Sequence, residues 1–288
     1  MVEEQKGTLY LCATPIGNLE DITLRALRIL READLIAAED TRHTRKLLSH
    51  FEIHTPLTSY HRHNCKKKGE YLLDLVSSGK NIALVSDAGM PGVSDPGSEL
   101  VSEAVKNGCA VIPVPGASAA VTALVASGLP TDSFVFVGFL PTAKKARADK
   151  LKELSSLRWT MIFYEAPHRI KETLALLLKA LGSRPAAAAR ELTKLHEEVI
   201  RGTLEELVEH FNLVEPRGEF TLVVAGSTEP ESRSGRETDW MHIGAAAHVA
   251  ILEAEGMDRK KAIQEVARLR GLPKKDVYRS VVEDKETR

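Results

Sequence analysis

From Gly7 onward the sequence alternates short apolar runs with amphipathic stretches, and three of the apolar runs end in loops rich in glycine and proline. Gly7 to Cys12 is β-prone and stops at Thr14-Pro15-Ile16-Gly17-Asn18. Asn81 to Ser86 reads as a buried strand and runs into a loop that ends at Gly97. Cys109 to Val114 is apolar and stops at Val114-Pro115-Gly116-Ala117-Ser118. Between these runs, Ile22, Leu24, Leu27, Ile29 and Leu30 fall at helical spacing, and further helices are predicted over about 43–51, 67–78 and Asp95–Asn107. Asp34 to Ala38 is a brief strand candidate that leads into Glu39-Asp40-Thr41-Arg42. Strand–helix units of this kind favour a mostly parallel sheet with helices on its faces. In such open sheets, ligands bind beyond the carboxyl ends of the strands, where glycine lets the backbone come close to them.

A second block begins near Thr131, with strands expected at Ser133–Gly138, Thr160–Tyr164, Ala186–Ala189 and Phe220–Ala225 and helices near 144–155, 168–181 and 203–212. Ser227 to Thr238 has the polar composition of a linker, and three helical patterns follow at about 240–255, 258–270 and 273–282. The chain of 288 residues is therefore read as α/β, with domains at 1–116 and 117–228 and a small C-terminal helical module at 239–288. Its 43% hydrophobic and 27% charged residues exclude wholesale disorder. With 39 basic against 40 acidic residues, overall charge cannot drive nucleic-acid binding, although a local basic face can. No apolar run approaches the ~20 residues that span a bilayer. Met1 to Lys6 does not read as a signal peptide, and the cytoplasm is the expected compartment. Cys12, Cys65 and Cys109 are too few and too widely spaced for a disulfide framework or a zinc site, and no metal is expected.

Chemistry concentrates in a few places. Ser86-Asp87-Ala88-Gly89-Met90-Pro91-Gly92-Val93-Ser94-Asp95-Pro96-Gly97 is a wide loop with carboxylates held on it; Asp95 suits a cap on the next helix, whereas Asp87 has no such duty in view. Neither a G-x-G-x-x-G after the first strand nor a Walker P-loop is present. Thr58-Ser59-Tyr60-His61-Arg62-His63-Asn64-Cys65-Lys66-Lys67-Lys68 is basic, with two histidines, an aromatic and no acid; it reads as a phosphate- and base-contacting loop or as a solvated basic surface, and a metal held through His61 and His63 would lack a third ligand at the right spacing. Lys144, Lys145, Arg147, Lys150 and Lys152 leave the same two readings open. Between Arg259 and Arg279, eight Lys and Arg face only Glu265 and Asp276. Ala262, Val266, Leu269, Leu272 and Val277 offer a small core, and Gly271-Leu272-Pro273 a turn. That pattern resembles a helix-turn-helix, for RNA docking or for dimerisation.

Pro15-Ile16-Gly17-Asn18, the Ser86–Gly97 loop and Val114-Pro115-Gly116-Ala117-Ser118-Ala119 together resemble the tetrapyrrole methylase superfamily. Ala38-Glu39-Asp40-Thr41-Arg42, Phe163 to Arg169, Arg190 to Lys194 and Gly218 to Thr221 resemble the branch of it whose members methylate small-subunit ribosomal RNA. The resemblance runs from about Gly7 to Ala225 and implies two α/β domains with S-adenosylmethionine in the cleft between them, usually in a homodimer. It implies transfer of a methyl group to the ribose 2′-hydroxyl of a cytidine in the decoding region, with the small ribosomal subunit or its RNA as partner and no membrane. Carried over by position, Pro15, Ala88, Gly89, Met90, Val93, Ser118, Ala119, Glu165 and Leu192 become the expected cofactor contacts. Met90 departs from the tetrapyrrole-acting relatives, which commonly carry an aspartate there. A tetrapyrrole C-methyltransferase and a non-catalytic ribosome-assembly factor remain as alternatives.

A ribose hydroxyl is a poor nucleophile until it begins to lose its proton, so a general base is expected. Asp87 is the first candidate because its loop must approach the methyl donor; Asp40 and Glu39 are the others. Arg42, His61, Arg62, Lys66, Lys67, Lys260, Lys274 and Lys275 are the expected RNA contacts. Asp40 and Arg42 are equally readable as a structural ion pair.

Overall fold

The computed structural model describes residues 6–228, 243–254 and 256–286. The chain divides into two compact units, Met1–Ser227 and Thr228–Arg288.

The first unit is built on two five-stranded sheets. In the first sheet β1 (Thr8–Cys12), β2 (Leu35–Ala38), β3 (Leu57–Ser59), β4 (Ile82–Val85) and β5 (Ala110–Val114) lie in the order β3-β2-β4-β1-β5, and every pairing is parallel. Its helices are α1 (Leu24–Glu32), α2 (Thr41–His50), α3 (Cys65–Ser77) and α4 (Gly97–Lys106). Leu30, Ile36, Ala83 and Val85 pack into the core on one face, and Leu9, Leu72, Ile82, Leu84 and Leu100 into the core on the other. A strand covered on both faces reads as a continuous apolar run rather than an alternating one, which is why β4 is legible as Ile-Ala-Leu-Val.

The first sheet is parallel as expected; the second, for which no strand direction was expected, is mixed. It consists of β6 (Phe134–Gly138), β7 (Thr160–Glu165), β8 (Pro185–Arg190), β9 (Glu198–Thr203) and β10 (Phe220–Val224), in the order β6-β7-β10-β8-β9. Only β6 and β7 are parallel; β10 lies antiparallel between β7 and β8, and β9 closes the edge antiparallel to β8. β9 was absent from the sequence expectation because Glu-Val-Ile-Arg-Gly-Thr is a half-covered edge strand with little apolar signal. The three-residue β3 was missed for its shortness. The helices α5 (Ala119–Ser127), α6 (Lys144–Ser155), α7 (Ile170–Leu181) and α8 (Leu204–Leu213) flank this sheet. α5 follows directly from the first sheet and packs Ala120, Ala123 and Leu124 against Ile162, Ala189 and Val223 of the second, so the two sheets share one body.

The second unit holds α9 (Ala245–Ala254), α10 (Arg259–Arg270) and α11 (Lys274–Glu286). Val249, Ala262, Ile263, Val266, Ala267, Val277 and Val281 form its core. Asp258 caps α10 by accepting the Lys260 N–H at 3.0 Å, and Gly271 ends it at φ +62°. Leu272, expected in this core, is 42% exposed: it follows the residue that reverses the chain and so points away from the packed helices. The expected linker lies, from residue 229, outside the described residues. Among the described residues no helix is long and apolar enough to cross a membrane.

Candidate active site

The loops at the carboxyl ends of β1, β4 and β5 are locked to one another by backbone. Thr14 and Gly89 exchange N–H···O bonds of 2.9 and 3.1 Å, and the Thr14 hydroxyl donates to the Ser86 carbonyl at 3.1 Å. A Cβ at Gly116 would lie 2.8 Å from that of Ala13, so the third loop lies directly against the first. Gly89 (φ +78°) and Gly92 (φ +90°) take conformations that L side chains rarely adopt. Asp95 latches the middle loop: its carboxylate accepts the Gly92 N–H at 2.8 and 2.9 Å and the Gly97 N–H at 2.7 Å. Burial nevertheless pushes its carboxyl above the usual range. It thus satisfies the first N–H of α4 from one residue before the cap, which is Pro96.

The second sheet meets these loops with the turn between β8 and β9. There Glu191 (φ +49°) and Thr193 (φ +67°) are non-glycine residues held in the left-handed region, a strain that tertiary contacts must offset. The Thr193 hydroxyl accepts the Asn18 N–H at 3.0 Å, the Thr193 N–H goes to the Glu197 carboxylate at 2.6 Å, and Lys194 pairs with Glu191 at 2.9 Å. Gly17 passes so close that a Cβ there would lie 2.5 Å from Lys194 Cγ and 2.8 Å from the Leu192 carbonyl oxygen.

Between the two sheets lies a cavity of about 280 Å³. Ala88, Gly89, Met90, Val93, Ser118, Ala119, Glu165 and Leu192 all line it, so the structure brings together every expected cofactor position except Pro15. Pro15 lines an adjoining cavity of about 700 Å³ instead. Phe139 and Tyr164, which sequence reasoning passed over, add an aromatic wall; their rings meet edge-on with centroids 5.8 Å apart. Burial raises the Tyr164 hydroxyl above its ordinary value. Glu165 is fully buried, and its carboxylate already accepts the Ala166 N–H at 2.9 Å and the Thr173 hydroxyl at 2.6 Å, with Arg169 Nε 3.6 Å away.

The three candidate bases have different surroundings. Asp87 lines the larger cavity and accepts the Asp40 N–H at 2.9 Å. Glu39 is half-buried and lines neither cavity; burial, then the carboxylates of Asp87 and Asp95, push its carboxyl up, against the pull of Arg62 and His61. Asp40 caps α2 through the Arg42 N–H at 2.8 Å and pairs with the Arg42 side chain at 3.0 Å, which holds its carboxyl down at about 2. This is the structural alternative for that pair, and so low a value makes Asp40 a weak proton acceptor.

The expected RNA contacts are scattered. Arg42, with its side chain 88% exposed, lines neither cavity. His61 lies just beyond β3, its Nδ1 buried and without a hydrogen-bond partner among the described residues. Arg62 is exposed beside it, and Lys66 and Lys67 are exposed on the first turn of α3. In the second unit Lys260, Lys274 and Lys275 are exposed on α10 and α11. Of the α6 cluster, Arg147 pairs with Glu172 at 2.9 Å and Lys150 with Glu153 at 3.0 Å. Among the described residues no group of three or more His, Cys, Asp or Glu could hold a metal ion, and the three cysteines are free thiols. Of the four α2 residues that line the larger cavity, the basic His43 and Lys46 went unnoticed in the sequence; their i, i+3 spacing from a capped helix start was the available signal.

The sequence matches the family model for Tetrapyrrole (Corrin/Porphyrin) Methylases over residues 8–208. It is 55% identical over 278 residues to a protein of Halalkalibacterium halodurans named ribosomal RNA small subunit methyltransferase I, covering 96% of this chain and 94% of that one. A protein of the same name from Bacillus subtilis is 50% identical over 272 residues, covering 94% and 93%. Among solved structures, a uroporphyrin-III C-methyl transferase from Thermus thermophilus, complexed with S-adenyl homocysteine, shares the fold with a TM-score of 0.54 at 23% identity, covering 76% of this chain and 97% of that one.

Proposed function

The chain belongs to the tetrapyrrole methylase family, and from that premise we propose that it is an S-adenosylmethionine-dependent methyltransferase of small-subunit ribosomal RNA, acting on the ribose 2′-hydroxyl of a cytidine in the decoding region. Relatives that match nearly end to end carry that RNA in their names. The observation that carries the reading is the convergence of the expected cofactor positions on one cavity. That cavity fits a sulfonium nucleoside: Met90, Val93 and Leu192 offer apolar contact, the Ala88–Met90 backbone offers polar groups, and the Phe139–Tyr164 wall offers an aromatic face. When bound, S-adenosylmethionine supplies an electrophilic methyl group.

The chain's own part is to orient and to move one proton. The latched Ser86–Gly97 loop holds the cofactor wall rigid, so alignment of acceptor and donor supplies most of the acceleration. Asp87, one residue before the cofactor-lining Ala88, takes the proton that the hydroxyl releases. Glu39 stands behind it as a second carboxylate whose charge Asp87 must share space with. In the same reading residues 1–116 and 117–228 are the two catalytic domains and 239–288 a module that docks RNA through Lys260, Lys274 and Lys275, with His61, Arg62, Lys66 and Lys67 as further contacts. The enzyme works in the cytoplasm as a homodimer, a state that light scattering checks.

The test is methyl transfer from labelled S-adenosylmethionine to purified small ribosomal subunits lacking the modification, followed by nuclease mapping. Label recovered as 2′-O-methylcytidine is the expected result. Cofactor binding without transfer to the subunit would send the search to another acceptor.

A further inference from the structure

A ribose oxygen can be methylated only if it reaches within roughly 3–3.5 Å of the donor carbon. An enzyme that acts on a stacked nucleotide commonly draws it out into a pocket of its own. The cavity of about 700 Å³ that opens beside the cofactor cavity meets this requirement. The two share Ile16, Ala88, Glu191, Lys194 and Glu219, so anything seated in the larger one abuts the smaller across a common wall. Its size lies within the roughly 300–1,000 Å³ of pockets that enclose small ligands, enough for one extruded nucleotide.

α2 contributes to the wall of the larger cavity. His43, Thr44, Lys46 and Leu47 face the cavity from successive turns, while Arg42 and Arg45 of the same helix do not line it. Neither His43 nor Lys46 has a side-chain hydrogen bond or ion pair among the described residues, whereas Lys194 across the cavity is paired with Glu191. Two unpaired basic side chains on α2 line the cavity together with Asp87; Glu191, which Lys194 pairs, and Glu219 line it too, so the α2 side is where an anionic ligand with its hydroxyl toward Asp87 is suited. We propose that this cavity receives the extruded acceptor nucleotide and that His43 and Lys46 hold its flanking phosphates, placing the ribose hydroxyl at Asp87. The inference rests on the RNA-methyltransferase reading and adds where the acceptor sits and what holds it.

Small ribosomal subunits lacking the modification are titrated against wild type and the His43→Ala/Lys46→Ala double variant by filter binding over a range of salt. S-adenosylmethionine binding is followed in parallel by calorimetry. The expected result is a subunit affinity at least tenfold weaker, a salt slope shallower by roughly one for each phosphate no longer held, and an unchanged cofactor affinity and melting temperature. Arg45→Ala, on the same helix but off the cavity, should bind as wild type does. Equal binding and equal methylation by the double variant and wild type would overturn the assignment while leaving the proposed function intact. A matching loss of cofactor affinity would overturn it by giving the cavity to the donor. If wild type binds subunits through these residues yet transfers no methyl group, the nucleotide pocket stands and the reaction class falls; if wild type does not bind subunits, both fall.

Discussion

The first sheet reaches the cleft with loops built on glycine and proline, whereas the second reaches it with a turn in which Glu191 and Thr193 occupy conformations suited to glycine. On the first side the shape is set mostly locally, by Gly89, Gly92 and the Asp95 latch, and Ser94 (φ +65°) is the one non-glycine residue of the middle loop held in the left-handed region. On the other side each of two residues carries ~1–3 kcal/mol of strain, offset by partners such as Asn18 and Glu197. A binding wall can thus be made rigid by residues that prefer its shape or by contacts that impose it. The second route makes the turn dependent on the first sheet, since Asn18 belongs to the loop after β1.

Asp95→Ala should show the largest effect, because two N–H groups beneath the loop lose their carboxylate at once. A stability loss of about 2–3 kcal/mol is expected in denaturant titration, with cofactor affinity down by more than tenfold in calorimetry. A wild-type affinity in this variant would mean that glycine and proline hold the loop without a latch. Thr173→Val, on the opposite side, leaves the buried Glu165 carboxylate one donor short and should cost about 1–2 kcal/mol. An equal or larger loss than at Asp95 would invert the contrast between the two walls.

Thr193 offers a finer test. Alanine there removes the acceptor for the Asn18 N–H and keeps the strain; glycine removes both. The glycine variant should be the more stable by about 0.5–1 kcal/mol, the relief of positive φ less the extra freedom of the unfolded chain. If the alanine variant proves the more stable, the turn is not strained in the sense argued.

The smallest effect belongs to Glu39→Gln. Burial and the neighbouring Asp87 and Asp95 raise the Glu39 carboxyl in the folded state, so its contribution is most favourable below the ordinary glutamate value and is lost as pH rises through the folded one. The variant should melt slightly above wild type at pH 7–8, the gain vanishing near pH 4. Asp40 has the opposite sign: its pairing with Arg42 stabilises above the ordinary aspartate value and is lost as pH falls through about 2. A gain for Glu39→Gln that grows on acidification would show that the carboxylate is stabilising.

Much of the cleft is legible in the sequence. The strand-end loops could be read because Pro-Ile-Gly-Asn and the Ser86–Gly97 string combine residues whose backbone preferences are local. The helices of the second unit were legible for the same reason, with Asp258 and Gly271 at the ends of α10. Where the reading failed, the missing information was non-local. β9 is a strand because β8 is beside it, not because Glu-Val-Ile-Arg-Gly-Thr favours one. Arg42 stood out by its place in Glu-Asp-Thr-Arg, yet it is His43 and Lys46 that the helix turns toward the cavity.

What the sequence alone determined, then, is the set of strands whose ends carry ligand-facing backbone, because φ and ψ preferences and helix caps act over a few residues. Only the tertiary structure decided that β10 enters the second sheet antiparallel, that Glu191 and Thr193 are forced to positive φ, and that two cavities share a wall at Ala88. Each of these depends on which segments distant in the chain meet, β10 with β7 and β8 from tens of residues away and Asn18 with Thr193 across 175. Packing and hydrogen-bond satisfaction settle such meetings for the whole molecule at once, and no short window of sequence carries them.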